Sequence, residues 1–346
     1  MASPLSEIET ASDKRHRLET SDIETGIANA LQRHVTRHVA PAPKVTQTRL
    51  EYERKRPRWL KEMIAEAIGV FIFVYAGISS IASFVLNGGD PGFGSIFQIG
   101  WAFGIGIAFA IIVCAPASGG HFNPAITICF ALWKGFPWKK VPQYIFAQVF
   151  GSFMAGLFVL GQYKQQIWAL KAKLVSEGVT SFNFNGGPGS VLCSFPNADQ
   201  TNFGYLFFTE FFISSLIALV IWSSLDPANP FASPVAAPFI IGMAFAVMIW
   251  GFADITISAN MARDLGTRIV AAIFFGGDAF TYHNYSWIGI LGTIPASIFG
   301  TALYEFVLKD SVLHIAKGFA EHSKGPEGLA RHLSRLGELE QGQGED

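Results

Sequence analysis

The amino-acid sequence predicts an all-α membrane protein in which six spanning helices and two half-helices form an inverted repeat. Three observations support this fold class: the composition, the lengths of the apolar runs, and the order in which the runs recur. The chain has 346 residues, of which 50% are hydrophobic and only 15% are charged, and its mean hydropathy is +0.35. Because soluble domains carry about 25% charged residues, this composition indicates a membrane protein.

Six apolar runs are long enough to cross a bilayer, which takes about 20 helical residues. They lie at 63–86, 96–115, 141–161, 203–222, 235–252 and 287–308. Two shorter apolar runs, 124–133 and 261–275, remain between them. These runs are too short to span the bilayer, so each is predicted to be a re-entrant half-helix.

The order span, span, half-helix, span occurs twice, at about 61–161 and 203–308. The first span of each unit contains one glutamate, Glu66 or Glu210. Three full crossings per unit is an odd number, so the second unit is predicted to lie inverted relative to the first. Inverted repeats with broken helices are a common way to build a transport site at the bilayer midplane. The predicted membrane domain covers residues 58–309.

The two ends of the chain are polar and are assigned to tails. Residues 1–57 lack an apolar period and are predicted to be disordered, with room for a short helix, while residues 310–346 form the second tail. Eleven Lys and Arg residues lie between Met1 and Arg58, and three more lysines follow the first half-helix, at 134, 139 and 140. The positive-inside rule therefore places both tails in the cytosol and the loop 162–202 outside.

The titratable residues give no sign of an enzyme or of a cofactor. Three cysteines predict neither a disulfide framework nor a metal site. A net charge of −1 without a basic patch gives no indication of nucleic-acid binding. Ser118 and His121 are close in sequence, but no third orienting acid accompanies them. An energised transporter would need an intramembrane ion site, and the spans carry few charges.

Two sequence segments resemble the signature boxes of the aquaporin, or major intrinsic protein, family. "SGGHFNPAIT" contains the family's Asn-Pro-Ala box in full, and "ISANMARDLG" contains it with Met in place of Pro. The first box is Asn123, Pro124 and Ala125, and the second is Asn260, Met261 and Ala262. The resemblance covers roughly residues 60–310. It implies the aquaporin-like fold, passage of water or small neutral solutes through the lipid bilayer, a plasma-membrane location and a homotetramer.

The two asparagines are predicted to meet in the middle of the membrane. Each starts a half-helix whose N-terminus carries roughly half a positive charge. Their side-chain amides can donate hydrogen bonds to passing water, which orients the water and interrupts a proton wire. The alternative interpretation is that both asparagines are N-caps alone, a position that Asn favours. Pro124 suits the first helical position, whereas Met261 lacks that rigidity.

The resemblance also implies a selectivity filter. Its walls would be Phe103, Ile257, Arg263 and a fifth-span residue, which is either Met248 or Ile249. Strict water channels of the family usually have a His in the fifth span, and this span has none. The filter is therefore predicted to be wider or more apolar. Asp264 after Arg263 is typical of glycerol-conducting members, but an acid in the first helical turn also has a structural explanation.

Three further residues are assigned roles by the resemblance. Glu66 and Glu210 would accept hydrogen bonds from the backbone of the re-entrant loops, because an unpaired carboxylate is unfavourable inside a membrane. His121 would line the cytoplasmic half of the pore, or be a structural histidine. Small residues such as Gly151 allow close helix packing, either within one subunit or between subunits.

The sequence thus predicts a passive channel for water and for small neutral solutes such as glycerol, which excludes protons and ions. The alternatives are a strict water channel and a secondary transporter of a small solute.

Overall fold

The structure is a computed structural model that describes residues 44–342, so the predicted disorder of residues 1–43 lies outside the described residues. The regular elements in this range are helical. The main helices are α1 (Gln47–Lys55), α2 (Arg58–Leu86), α3 (Ile96–Ser118), α4 (Pro124–Trp133), α5 (Val141–Gln162), α6 (Lys164–Ser176), α7 (Phe203–Ser224), α8 (Ala237–Phe252), α9 (Met261–Phe275), α10 (Ser286–Leu308), α11 (Ser311–Ala316) and α12 (Gly325–Gly342). Helix α1 lies in a separate unit that ends at Pro57.

The predicted all-α membrane fold is confirmed. Within residues 44–342, five helices are long and apolar enough to cross a bilayer, namely α2, α3, α5, α7 and α10. The remaining predicted span, the fifth along the chain, is α8, which has only 16 residues and is therefore about 24 Å long. Short turns extend it at both ends, where the Ala236 and Thr256 amides donate to backbone carbonyls of neighbouring residues.

The two half-helices interlock the repeats. Helix α4 begins at Pro124 and α9 begins at Met261, as predicted. Helix α4 packs against α10, and α9 packs against α5. Each half-helix therefore contacts the last span of the other repeat, so neither repeat is complete alone.

Glycines allow close helix crossings inside the chain. A Cβ atom on Gly242 of α8 would lie 2.1 Å from the Gly104 carbonyl oxygen of α3. A Cβ atom on Gly151 of α5 would lie 2.2 Å from the Ala67 carbonyl oxygen of α2. Such approaches exclude any side chain. Gly151 thus serves packing within one subunit, so its spacing gives no support to an oligomer.

Two regions contain more structure than the sequence predicts. The segment 162–202 contains helix α6 and a short 3-10 turn over Pro188–Val191. The region 310–346 contains α11 and α12 in its described part, and His314 of α11 is buried against Asp226. Neither region contains an apolar run of membrane-spanning length, and such runs are the signal that predicts the helices above.

Candidate functional site

The two asparagines cap the two half-helices with nearly the same backbone geometry. Asn123 has φ −150° and ψ 126°, and Asn260 has φ −153° and ψ 117°. The Asn123 Oδ1 accepts from the Ala125 amide at 3.0 Å. The Asn260 Oδ1 accepts from the Ala262 and Arg263 amides at 2.9 and 3.1 Å. The capping role is therefore real, and it leaves both side-chain NH₂ groups free for other partners.

The residue before each asparagine has a left-handed backbone. Phe122 has φ 48° and Ala259 has φ 56°, in a region that non-glycine residues rarely occupy. This conformation reverses the chain just before each half-helix. It turns the amides at 121–122 and 258–259 towards the two buried glutamates, so the local strain is offset by strong hydrogen bonds.

Glu66 accepts hydrogen bonds from the backbone of the first re-entrant loop, which is the role that the resemblance implies for it. Its carboxylate oxygens accept from the His121 and Phe122 amides at 3.0 and 2.8 Å. The Ser118 hydroxyl and the Gln148 amide each add a bond of 2.7 Å. Glu66 is fully buried, so these donors replace the water that the carboxylate would otherwise bind.

Glu210 holds the second loop in the equivalent way. It accepts from the Ser258 amide at 2.7 Å and the Ala259 amide at 3.3 Å. The Tyr285 hydroxyl completes the site at 2.7 Å. Each glutamate therefore stabilises the left-handed turn of its own repeat by accepting hydrogen bonds from the amides of that turn.

Two cavities lie next to the start of the half-helices. The first, which we call the Arg263 cavity, has a volume of about 250 Å³. The second, the His121 cavity, has a volume of about 110 Å³. Three residues line both cavities: Phe73, Phe245 and Asn260. Asn260 therefore stands at the junction of the two cavities, and Asn123 lines the His121 cavity beside it. Sequence reasoning missed Phe73 and Phe245, because nothing distinguishes them among 32 phenylalanines.

The Arg263 cavity brings four predicted filter residues together. Its lining includes Phe103, Ile249, Ile257 and Arg263. The Arg263 guanidinium carbon lies 5.5 Å from the centre of the Phe103 ring. Met248 is buried and lines neither of the two cavities. Of the two fifth-span candidates, the geometry thus favours Ile249, and the cavity combines one cation with apolar walls.

Asp264 and Arg268 form a buried ion pair that sequence reasoning did not assign. The Arg268 Nε lies 2.7 Å from the Asp264 Oδ2, and its Nη1 donates to the Ala279 carbonyl at 2.6 Å. The two side chains are at most 1% exposed. Their spacing of four residues along α9 is the sequence signal that could have predicted this pair, since residues four apart are neighbours on one face of a helix. The structural explanation for Asp264 is therefore sufficient.

His121 lines the His121 cavity, with its ring held on three sides. It stacks on Phe130 with ring centres 4.2 Å apart and packs against Phe136 and Tyr144. Its Nδ1 lies 3.3 Å from the Thr127 hydroxyl. His121 also lines the cavity, so this packing supports a structural role and is compatible with the predicted pore-lining role. Among the described residues, no three His, Cys, Asp or Glu side chains are placed to hold a metal ion.

Two half-helices that begin beside two cavities, inside a set of apolar membrane-length helices, define an integral membrane protein. The chain belongs to the major intrinsic protein family, whose model matches residues 53–304. The fold and the sequence therefore assign the same class of protein.

Comparison with known proteins supports this assignment. An aquaporin from Laccaria bicolor is 39% identical over 303 residues, which cover 86% of this chain and 91% of that protein. Aquaglyceroporin-2 from Rhizophagus irregularis is 34% identical over 253 residues, which cover 72% of this chain and 77% of that protein. The X-ray structure of the aquaglyceroporin from Plasmodium falciparum superposes with a TM-score of 0.62 at 25% identity, covering 74% of this chain and 99% of that one.

Proposed function

We propose that this protein is a passive channel that conducts water and glycerol-sized neutral solutes across the plasma membrane while excluding protons and ions. One observation carries the proposal. Asn123 and Asn260 start the two half-helices beside these cavities: Asn260 lines both cavities and Asn123 lines the His121 cavity. A solute that passes from one cavity to the other therefore passes Asn260, and it meets Asn123 within the His121 cavity.

The helix ends support exclusion of protons. Each half-helix directs a partial positive charge of roughly half an electron towards the junction. A water molecule there accepts from amide donors and turns its own hydrogens away, so a continuous proton wire is interrupted. Cations meet a positive field in a dry passage, where such a field is strong.

The Arg263 cavity supports passage of a small polyol. Arg263 can donate to hydroxyl groups, while Phe103, Ile249 and Ile257 offer an apolar wall to a carbon backbone. A narrow passage with donors on one side and apolar groups on the other matches the two faces of glycerol. Two relatives named above are aquaglyceroporins, which agrees with this solute range.

The state of the glutamates argues against the alternative of a coupled transporter. Coupling to an ion gradient needs an intramembrane group that binds and releases the ion. The carboxylates of Glu66 and Glu210 are occupied by backbone amides and by buried side chains. We further propose cytosolic termini, an outward-facing Arg263 cavity and a homotetramer, which follow from the lysine and arginine distribution and from the family resemblance.

Purified full-length protein in liposomes tests the proposal. Stopped-flow light scattering follows shrinkage in sucrose and then re-swelling in an equal gradient of glycerol, with protein-free vesicles as the control. We expect fast shrinkage with a low temperature dependence, measurable re-swelling, and no response of an internal pH dye to an imposed proton gradient. Shrinkage without re-swelling would reject the glycerol part, and a tracking pH dye would reject proton exclusion.

A further inference from the structure

The hydroxyl group of Ser194 bridges two walls of the predicted filter. Ser194 lies in the segment that connects α5 to α7, far from the filter residues in sequence. Its Oγ accepts a hydrogen bond from the Arg263 Nη1 at 2.7 Å. The same Oγ donates to the Ile257 carbonyl oxygen at 2.6 Å. The Ser194 hydroxyl thus donates to one residue of the second re-entrant segment, Ile257, and accepts from another, Arg263.

The backbone of Ser194 is held by other groups. Its amide donates to the Asp264 Oδ1 at 3.1 Å, and its carbonyl accepts from the Arg268 Nη2 at 2.6 Å. Asp264 and Arg268 are buried and paired with each other. The position of Ser194 therefore does not depend on its hydroxyl group, and the hydroxyl is available for a separate task.

We propose that Ser194 is a specificity-determining residue that positions the Arg263 guanidinium for solute, an inference that rests on the proposed channel function. The tether fixes Nη1 at the segment 163–202. Within the described part of the chain, Nε and Nη2 make no hydrogen bond to protein, so they remain as donors for a hydroxyl group in the cavity. The bridge also occupies the Ile257 carbonyl, which keeps that wall apolar.

The consequence differs between solutes of different size. Without the tether, the guanidinium can rotate into the cavity and the Ile257 carbonyl is left without its donor. A water molecule can adapt to a displaced guanidinium because it needs little space and few fixed contacts. Glycerol needs the donors and the apolar wall at fixed relative positions, because its hydroxyl groups and its carbon backbone must be contacted at the same time. Loss of the hydroxyl should therefore reduce glycerol permeability more than water permeability.

Liposomes with Ser194→Ala test the inference. We expect glycerol permeability to fall about tenfold or more, the size of the loss of one hydrogen bond to a charged group, with a smaller fall for water. Ser194→Thr keeps the hydroxyl and should restore the glycerol-to-water permeability ratio. Ser190→Ala is the matched control, because its hydroxyl bonds only to the local backbone at Gly186 and Gly187.

The outcomes separate this inference from the proposed function. An unchanged ratio in Ser194→Ala, or an equal change in Ser190→Ala, overturns the positioning role while the channel function stands. If the wild-type protein passes water but no glycerol, the proposed solute range is wrong, and Ser194 is then judged by water permeability. Equal water permeability of wild type and Ser194→Ala would overturn it. A wild-type protein that passes neither solute overturns both.

Discussion

The side-chain amide of Asn260 donates a hydrogen bond of 2.9 Å to the carbonyl oxygen of Phe122, the residue before Asn123. This bond joins the two repeats at the point where both half-helices begin. The oxygen of the same amide caps α9. One side chain therefore sets the end of its own helix and its distance from the other helix, and it retains one N–H for solute.

Asn260→Asp should separate these roles. The carboxylate keeps the capping oxygen, but it cannot donate to Phe122, and it places a negative charge where two helix N-termini direct their partial positive charges. We expect a normally folded protein with an increased proton or cation leak, measured with an internal pH dye in liposomes. Asn202→Asp is the control, since Asn202 also caps a helix and lies away from the cavities. An Asn260→Asp variant whose proton and cation leak equals that of the wild type would contradict the electrostatic account.

Replacement of either buried glutamate should destabilise the fold. Glu66→Ala leaves two backbone amides of the first loop without an acceptor, and Glu210→Ala does the same in the second. An unsatisfied buried group costs about 1–3 kcal/mol, so we expect a clear fall in Tm and in folded yield for each variant. Size-exclusion chromatography after heating measures this, with the exposed Glu177→Ala as control. Wild-type Tm in both variants would refute the supporting role.

Sequence reasoning predicts most of this fold because the bilayer imposes simple rules. Apolar length identifies the spans, and the half-helix limits at Pro124 and Met261 follow from the Asn caps and from the ends of the apolar runs. Glu66 and Glu210 stand out because a charge inside a membrane needs partners. These features depend on local sequence and on one property of the bilayer, which is that its interior is apolar.

Other features depend on contacts between distant segments, which no local pattern reveals. Ser194 resembles any loop serine until the fold brings it to Arg263. The choice between Met248 and Ile249 is a question of helix rotation, and a shift of one residue turns a side chain by about 100° on a helix. Helix α11 is not predicted because its six residues make fewer than two helical turns, which is too short to show an apolar period.

The contact between Asp226 and His314 should hold α11 at neutral pH. The Asp226 carboxylate accepts from the Tyr304 hydroxyl at 2.5 Å and lies 2.9 Å from the His314 Nε2. Burial alone would raise the pKa of this carboxyl, but its hydrogen bonds and the imidazole outweigh burial and hold the pKa below its ordinary value. A depressed pKa stabilises the fold above the unfolded pKa, and the stabilisation is lost as pH falls through the folded one.

We therefore expect α11 to stay bound at neutral pH and to detach in acid, below about pH 4. Asp226→Asn should detach it already at neutral pH, since the amide keeps only part of the contact. Trypsin cleavage at Lys317 of detergent-solubilised protein measures the difference at neutral pH, and pepsin digestion across the acid range measures the wild-type transition. Glu321→Gln, an exposed neighbour, is the control. Equal trypsin rates for Asp226→Asn and wild type would show that this contact does not retain the helix.

Ile249→His should convert the predicted filter towards strict water selectivity. Ile249 lines the Arg263 cavity together with Phe103 and Ile257. An imidazole at this position replaces part of the apolar wall with a polar group that faces Arg263 and that water can satisfy. The carbon backbone of glycerol then loses its apolar contact, while water gains a partner. We expect the glycerol-to-water permeability ratio to fall about tenfold or more, within the range for a changed apolar pocket.

Met248→His provides the matched control, because Met248 is also buried on α8 but lines neither cavity. That variant should lose stability through a buried polar ring without a specific change in the ratio. Should Met248→His alone shift the ratio, the fifth-span filter residue would be Met248, and the rotation of α8 described above would be wrong.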